Sequence, residues 1–247
     1  MVSIITPTYN SSSFIIDTYH SILSQTISDW EWIVTDDCST DSTWHLLWDF
    51  AKNDPRIKIM KNEFNSGAAV TRNKCLSRAS GDFLAFIDSD DIWLSEKIEK
   101  QLQYMEKNKI NFSFTAYELI NTNGASLKKF IDIKNTGAFS YSDMLRKKAT
   151  LGCSTVMLRK KAFSDLTMPL IRTGQDYAFW LKLLKNGETA YLLNEPLTKY
   201  RIVSNSISRN KFRKAMRQWQ IYRKIEKLNL AEALECFFFY AVHAVFR

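Results

Sequence analysis

Three carboxylates follow an apolar run in the first half of the chain. The run is Phe-Leu-Ala-Phe-Ile at residues 83–87, and Asp88, Asp90 and Asp91 lie within the next four positions. Such a short run is typical of a strand buried on both faces, and open α/β sheets bind ligands beyond the carboxyl ends of these strands. Carboxylate oxygens suit Mg²⁺ or Mn²⁺. The pattern fits a metal site at Asp88 and Asp90, or a solvated acidic turn that caps the next helix.

Acidic residues stand at two other places where chemistry is plausible on residue type. Asp36 and Asp37 end a second strand-like segment, where Asp37 can accept hydrogen bonds from a nucleotide base or a ribose. Asp176 follows Gly174 and precedes an apolar helical segment. A carboxylate there can act as a general base, which typically contributes ~10²–10⁴ in rate, or it can cap the helix. Spacing alone leaves both interpretations open.

Strand-like and helix-like segments alternate in the part of the chain that contains these carboxylates. We expect strands at residues 2–6, 31–36, 57–60 and 83–88, with helices at 14–25, 43–51 and 68–80. This alternation predicts an α/β fold with a doubly wound, mostly parallel sheet. No Gly-x-Gly-x-x-Gly follows the first strand, which argues against a dinucleotide-binding fold.

The second half of the chain shows a weaker pattern. We expect helices at residues 96–109 and 176–185 and strands at 112–119, 153–158, 188–193 and 197–202. Residues 120–150 are less clear, with a turn at 121–124, a strand at 130–133 and a short helix at 140–146.

Cysteine usage and hydropathy indicate the compartment. The four cysteines are widely spaced, there is no Cys-x-x-Cys pair and there are three histidines, so zinc ligation is not expected. Free thiols suit a reducing compartment. The first residues enter a strand-like segment directly, and no apolar run reaches ~18 residues. We therefore expect a cytoplasmic protein without a signal peptide or a membrane-spanning helix.

Charge is distributed unevenly along the chain. Residues 1–100 contain 9 Lys and Arg against 15 Asp and Glu, whereas residues 101–247 contain 25 against 11. In residues 206–247 basic side chains surround one apolar helical face, formed by Phe212, Met216, Trp219, Tyr222 and Ile225. This helical appendage predicts contact with an anionic membrane surface, or a helical pair packed on the main domain. We find no nucleic-acid-binding module and expect no nucleic-acid partner.

Four segments in order resemble one enzyme family. Residues 2–10, 32–41, 67–73 and 86–91 together resemble the family 2 glycosyltransferases, which have the GT-A fold, a Rossmann-like α/β architecture. The resemblance covers roughly residues 1–205, and residues 175–183 look like the acceptor-side motif of the family. The run at residues 200–208 is similar to teichuronic-acid-type and lipopolysaccharide-type transferases of bacteria.

The resemblance implies an inverting, metal-dependent sugar transfer that uses Mn²⁺ or Mg²⁺. The donor would be a nucleotide-diphosphate sugar, with UDP the commonest nucleotide, and the acceptor a glycan or a lipid-linked glycan in bacterial surface polysaccharide or lipooligosaccharide biosynthesis. Residues 1–118 would form the nucleotide-sugar half, residues 119–205 the acceptor half and residues 206–247 the appendage. The protein would be peripheral on the cytoplasmic face of the inner membrane.

The resemblance also assigns residues. It implies Asp176 as the catalytic base and Asp88 and Asp90 as metal ligands, and leaves Asp91 as a cap for the next helix. The nucleotide-sugar contacts that it implies are Pro7, Tyr9, Asp36, Asp37, Arg72, Asn73, Asp88 and Ser89.

Two departures from the family pattern affect the site. Gln175 stands where many members have Glu, and Val203 stands where many have His. The contact to diphosphate or metal that the His makes would be absent here or supplied by Arg201.

Two other functions are compatible with the same fold. A nucleotidyltransferase would need a loop rich in Gly, Arg or Lys after the first strand, and residues 7–13 contain no Lys or Arg. A non-catalytic GT-A module that binds a partner transferase is the other alternative, against which the intact set of acidic residues argues.

Overall fold

A parallel four-stranded sheet forms the first half of the protein. The computed structural model describes residues 1–203 and 211–246. The strands are β1 (Val2–Thr8), β2 (Trp30–Asp36), β3 (Ile57–Lys61) and β4 (Phe83–Phe86), in the spatial order β3-β2-β1-β4. They are connected by helices α1 (Ile15–Leu23), α2 (Thr43–Asn53) and α3 (Ala68–Leu76). The predicted parallel, doubly wound arrangement is confirmed.

The second half extends this sheet to ten strands. Its elements are β5 (Ile92–Trp93), α4 (Lys97–Lys107), β6 (Phe112–Ile120), β7 (Ser126–Ile131), β8 (Ala138–Phe139), α5 (Tyr141–Leu145), β9 (Met157–Arg159), α6 (Gln175–Leu184) and β10 (Ala190–Arg201). Strand β9 lies antiparallel between β4 and β6, and β10 lies parallel to β6. Strands β5, β7 and β8 add antiparallel pairs to β10 and β6.

Two strand predictions in this half differ from the structure. The strand expected at residues 153–158 is a 3₁₀ turn, Cys153–Thr155, followed by the short strand β9. The two strands expected between residues 188 and 202 are the single strand β10, whose register against β6 shifts on both sides of Pro196. Proline has no N–H to donate, so it interrupts the ladder without ending the strand.

Apolar side chains cover both faces of the sheet. Successive residues of a strand point to opposite faces, and Ile4 and Ile5 of β1 accordingly belong to two different buried clusters. Both residues are fully buried. The strands therefore read as continuous apolar runs, as expected for a sheet with helices on both sides.

The C-terminal helices pack on the second half of the domain. They are α7 (Lys211–Gln220), a π-helical turn (Ile221–Ile225) and α8 (Leu230–Phe246). Tyr222 is fully buried and donates to the carbonyl of Leu145 at 2.5 Å, while Trp219 and Ile225 pack on the same core. These three residues follow the packed alternative, whereas Met216 of the same predicted face is 47% exposed. The predicted domain boundary at residues 205 and 206 and the side chain of Phe212 lie outside the described part.

Candidate active site

A cavity of about 460 Å³ opens at the carboxyl ends of β1, β2 and β4. Seven of the residues expected to bind donor or metal line it: Pro7, Tyr9, Asp37, Arg72, Asp88, Ser89 and Asp90. Parallel strands bring their carboxyl ends to the same edge of the sheet, which is why residues so distant in sequence meet here. Asp36, Asn73 and Asp176 were also predicted, and they do not line this cavity.

Asp37 connects the end of β2 to the start of α3. Its Oδ1 accepts from Asn62 Nδ2 and from the amide of Ser66, and its Oδ2 accepts from the amide of Gly67, all at 2.8 Å. Gly67 has φ +87°, a left-handed conformation that favours glycine. A carboxylate accepts about four hydrogen bonds, so Asp37 keeps acceptor capacity on the cavity wall.

A buried arginine provides unused donors in this cavity. Arg72 is 4% exposed, and its Nη2 donates to Asp88 Oδ1. Within the described part of the chain, its Nε and Nη1 have no hydrogen-bond partner. Burial disfavours the charge of Arg72, but Asp88, Cys153 and Asp176 raise its pKa above the ordinary range. Arg72 lines the cavity, and a buried cation next to a cavity suits an anion such as a phosphate.

Asp88 and Asp90 place two carboxylates in the same cavity. Burial and the charge of Asp88 raise the pKa of Asp90 to about 6. A divalent cation would relieve this repulsion, and carboxylate oxygens are suitable ligands, so the residues fit a bound Mn²⁺ or Mg²⁺. The described residues contain no group of three His, Cys, Asp or Glu side chains placed for a metal.

Asp91 is a structural anchor, and its prediction as a helix cap is wrong. It is fully buried, whereas α4 begins only at Lys97. Its Oδ2 accepts from Ser154 Oγ at 2.5 Å and its Oδ1 accepts from the amide of Arg201 at 2.9 Å. Ser154 Oγ also accepts from the amide of Asp88 at 3.0 Å. Burial and the neighbouring Asp90 raise the pKa of Asp91 well above its usual range.

Arg201 holds the loop that contains the two metal-ligand candidates. Its Nε donates to the carbonyl of Asp90 at 2.7 Å, its Nη1 to the carbonyl of Thr122 at 2.7 Å and its Nη2 to Asp17 Oδ2 at 2.8 Å. The guanidinium of Arg201, the predicted substitute for the family histidine, is therefore occupied by contacts within the protein. Val203 lines the cavity, and residues 204–208 of the same motif lie outside the described part.

Asp36 and Asn73 support neighbouring loops. Asp36 is fully buried, and its carboxylate accepts from the amide of Ser39 at 3.0 Å and from Ser39 Oγ. Asn73 exchanges two hydrogen bonds with the backbone of Met168, at 3.0 and 2.7 Å. Asn73 thereby fixes the segment that leads to α6.

Asp176 is the second residue of α6. The helix begins after Gly174, which has φ +75°, and no side chain caps it, so Asp176 does not have the capping function considered from sequence. A carboxylate in the first turn interacts favourably with the helix dipole. Asp176 is half-buried, and its negative charge is one of the causes that raise the pKa of Arg72.

Thr8 was not selected from the sequence, although it lies within the Pro-Thr-Tyr-Asn segment. It lines the cavity and is buried, and its Oγ1 has no hydrogen-bond partner in the described part of the chain. An unpartnered buried hydroxyl on a cavity wall is a candidate ligand contact. Beside it, the hydroxyls of Ser11 and Ser89 are joined at 2.7 Å, which links the loop after β1 to the acidic loop.

Comparisons with known proteins identify the family of this chain. The family model for glycosyl transferase family 2 matches residues 3–167. The glycosyltransferase TuaG of Bacillus subtilis, named for teichuronic acid biosynthesis, is 49% identical over 99% of this chain and 96% of its own length. The Escherichia coli protein WfgD, named as a UDP-Glc:α-D-GlcNAc-diphosphoundecaprenol β-1,3-glucosyltransferase, is 40% identical over 90% of this chain and 85% of its own.

Solved structures show the same fold. Staphylococcus aureus TarS 1–349 in complex with UDP superimposes with a TM-score of 0.69 at 23% identity, covering 96% of this chain and 69% of that one. A Pyrobaculum calidifontis mannosyltransferase with GDP-Man and Mn²⁺ gives 0.72 at 15% identity, with 97% and 68% covered. Because the family model covers well over half of the chain, the protein belongs to glycosyl transferase family 2 and has the GT-A fold.

Proposed function

We propose that this protein is an inverting, metal-dependent glycosyltransferase that moves a sugar from a UDP-sugar to an acceptor hydroxyl. The observation that carries the proposal is the cavity lined by Arg72, Asp88 and Asp90, which brings a buried cation next to two carboxylates. This combination of a buried cation and two carboxylates suits a diphosphate with a divalent ion. UDP in the TarS complex and the UDP-Glc donor in the name of WfgD support the choice of nucleotide.

The donor would be held along the cavity. Asp37 and Thr8 offer polar contacts to the nucleoside, and the exposed ring of Tyr9 provides a surface for the base. Arg72 offers Nε and Nη1 to the phosphate oxygens, which supports binding by charge-assisted hydrogen bonds. A bound Mn²⁺ or Mg²⁺, held by Asp88 and Asp90, would supply positive charge that stabilises the leaving diphosphate.

The transfer would be a single displacement. The acceptor oxygen forms a bond to the anomeric carbon, the bond from that carbon to the diphosphate breaks, and the nucleoside diphosphate leaves with the electron pair. Asp176 accepts the proton of the acceptor hydroxyl. Its place in the first turn of α6, coupled electrostatically to Arg72, supports this assignment.

The test of the base is Asp176→Asn. We expect the variant to bind UDP with wild-type affinity in a calorimetric titration and to lose at least ~100-fold in transfer rate, the usual contribution of a general base. The matched control is Asp49→Asn on the exposed face of α2, which should transfer at the wild-type rate. Wild-type transfer by Asp176→Asn would contradict the assignment.

The acceptor in this proposal is a lipid-linked glycan of a bacterial surface polysaccharide pathway. The name of TuaG points to a polysaccharide product, and the name of WfgD to a diphosphoundecaprenol carrier. Such a carrier would place the protein at the cytoplasmic face of the membrane, as a peripheral protein. No helix in residues 1–203 and 211–246 is both long and apolar enough to cross a bilayer. Donor hydrolysis measured with and without Mn²⁺ would distinguish this enzyme from a non-catalytic module.

A further inference from the structure

An apolar stripe runs along the outer face of α8. Leu230, Leu234 and Phe238 are 57%, 54% and 64% exposed, and their spacing of four residues places them on one ridge of the helix. Ala231 and Ala241 are exposed beside them. We call the set Leu230, Leu234 and Phe238 the α8 stripe.

The opposite face of α8 holds the helix on the domain. Ala233 and Cys236 are buried in the core, and the ring of Phe237 packs edge-on against Trp219 of α7 at 5.6 Å between centroids. The stripe is therefore exposed although α8 itself is packed on the domain. Phe237 is adjacent to Phe238, so α7 lies along the side of α8 next to the stripe.

The surface beside the stripe is cationic. In α7, the π-helical turn and the loop to α8, the exposed charged side chains are Arg213, Lys214, Arg223, Lys224 and Lys227. The acid in this stretch, Glu226, is buried and pairs with Lys185 at 3.1 Å. The two acids of α8 itself are exposed. Glu232 accepts from the amide of Asn229 at 3.2 Å and Glu235 pairs with Arg146 at 2.7 Å, so the five exposed cations outnumber them.

We infer that the α8 stripe is the surface with which the protein docks on an anionic lipid bilayer. The inference rests on the proposed function, and it assigns the membrane contact to a face different from the one predicted from sequence. Apolar side chains enter the boundary between headgroups and acyl chains, and adjacent Lys and Arg side chains attract anionic lipids. A second copy of the chain fits less well, because a two-fold interface would bring the same cationic flanks together.

This docking surface is connected to the proposed base. The side chain of Arg217 on α7 packs over Gly174, where a Cβ would lie 2.9 Å from Arg217 Cδ. Gly174 is two residues before Asp176. The helix that packs beside α8 is therefore in contact with the residues that precede the proposed base.

Vesicle binding tests the inference directly. The variant is Leu230→Asn with Leu234→Asn and Phe238→Asn, and the matched control is Trp48→Asn with Leu127→Asn and Phe130→Asn, three side chains that are 60%, 46% and 44% exposed elsewhere. Co-sedimentation with phosphatidylglycerol vesicles and with phosphatidylcholine vesicles measures partitioning. We expect wild type to prefer the anionic vesicles, the stripe variant to lose about tenfold or more, and the control to match wild type.

The outcomes separate this inference from the proposed function. Equal partitioning of wild type and stripe variant would overturn the inference. The inference would also be overturned if wild type bound no vesicles but formed a dimer in light scattering, and if the stripe variant were a monomer in the same measurement. Transfer to a water-soluble acceptor should be unchanged in the stripe variant. If wild type transfers no sugar to any acceptor, the proposed function fails, whereas the vesicle result still decides the docking surface.

Discussion

Replacing Arg201 by Gln should destabilise the protein measurably and disturb the loop that contains Asp90. The guanidinium is 1% exposed and makes three hydrogen bonds of 2.7–2.8 Å. Two of these go to the carbonyls of Asp90 and Thr122 in different loops, and the third goes to Asp17. The change therefore removes one side chain that connects β10, the acidic loop, the turn after β6 and α1.

The size of the loss follows from these contacts. A hydrogen bond from a charged donor contributes about 1.5–3 kcal/mol, so the two carbonyl contacts together contribute roughly 3–6 kcal/mol. The side chain of Asp17 is about half exposed, so its ion pair adds little. Part of this loss of stability is offset, because Arg201→Gln no longer places a charged side chain in the protein interior. We expect a loss of about 3 kcal/mol in the free energy of unfolding, or ~6–12 °C in Tm.

Three variants make the test specific. Arg201→Lys keeps the charge but not the forked geometry and should fall between wild type and Arg201→Gln. Asp17→Asn removes only the half-exposed pair and should stay within about 1 kcal/mol of wild type. Urea unfolding gives the stabilities, and titration of UDP with Mn²⁺ should show weaker binding for Arg201→Gln. If Arg201→Gln unfolds within 1 kcal/mol of wild type and binds UDP equally well, Arg201 does not hold this loop.

Three further changes test other parts of the structure. Asp90→Asn should weaken the Mn²⁺-dependent part of UDP binding, and unchanged titration heats would contradict its assignment as a metal ligand. Burial raises the pKa of Glu31, but hydrogen bonds from Lys58, Ser3 and Ser80 outweigh this and lower it from 4.5 to about 2. The resulting stability, about 3 kcal/mol, is present above pH 4.5 and is lost as the pH falls towards 2, so Glu31→Gln should reduce the Tm at pH 7 and flatten its fall between pH 4.5 and 2.5. Gly174→Ala places a Cβ against Arg217 at a left-handed φ, and we expect it to cost about 1–2 kcal/mol in urea unfolding, whereas Gly187→Ala serves as a control for strain without contact.

The parallel half of the sheet was predictable because its signal is local. Strands β1, β2 and β4 are buried on both faces, so each reads as an apolar run with a polar end. Strand β9 carries no comparable signal, because three residues cannot show a period. Its position between β4 and β6 depends on pairing with segments more than forty residues away in the chain. The fold was nevertheless predicted, because the ordered motifs resemble those of a known family.

The acidic residues show the limit of motif reading more clearly. Asp36 and Asp37 are neighbours, yet Asp36 bonds inward to Ser39 while Asp37 lines the cavity. Asp90 and Asp91 differ in the same way. Asp90 lines the cavity, whereas hydrogen bonds from Ser154 and the amide of Arg201 hold Asp91 inside the protein. Residue type and spacing are the same in both pairs. What separates them is a hydrogen-bond partner that only the fold brings near.

Unpartnered buried atoms give information that the acidic motifs lack. In the described part of the chain, Thr8 Oγ1 and two nitrogens of Arg72 are buried without a hydrogen bond, and both residues line the same cavity. Leaving such groups unpaired costs free energy, roughly 1–3 kcal/mol each, and more for a charged group. A ligand that supplies acceptors to Arg72 would recover that cost on binding. We therefore expect Arg72→Met to bind UDP more weakly than wild type in a calorimetric titration.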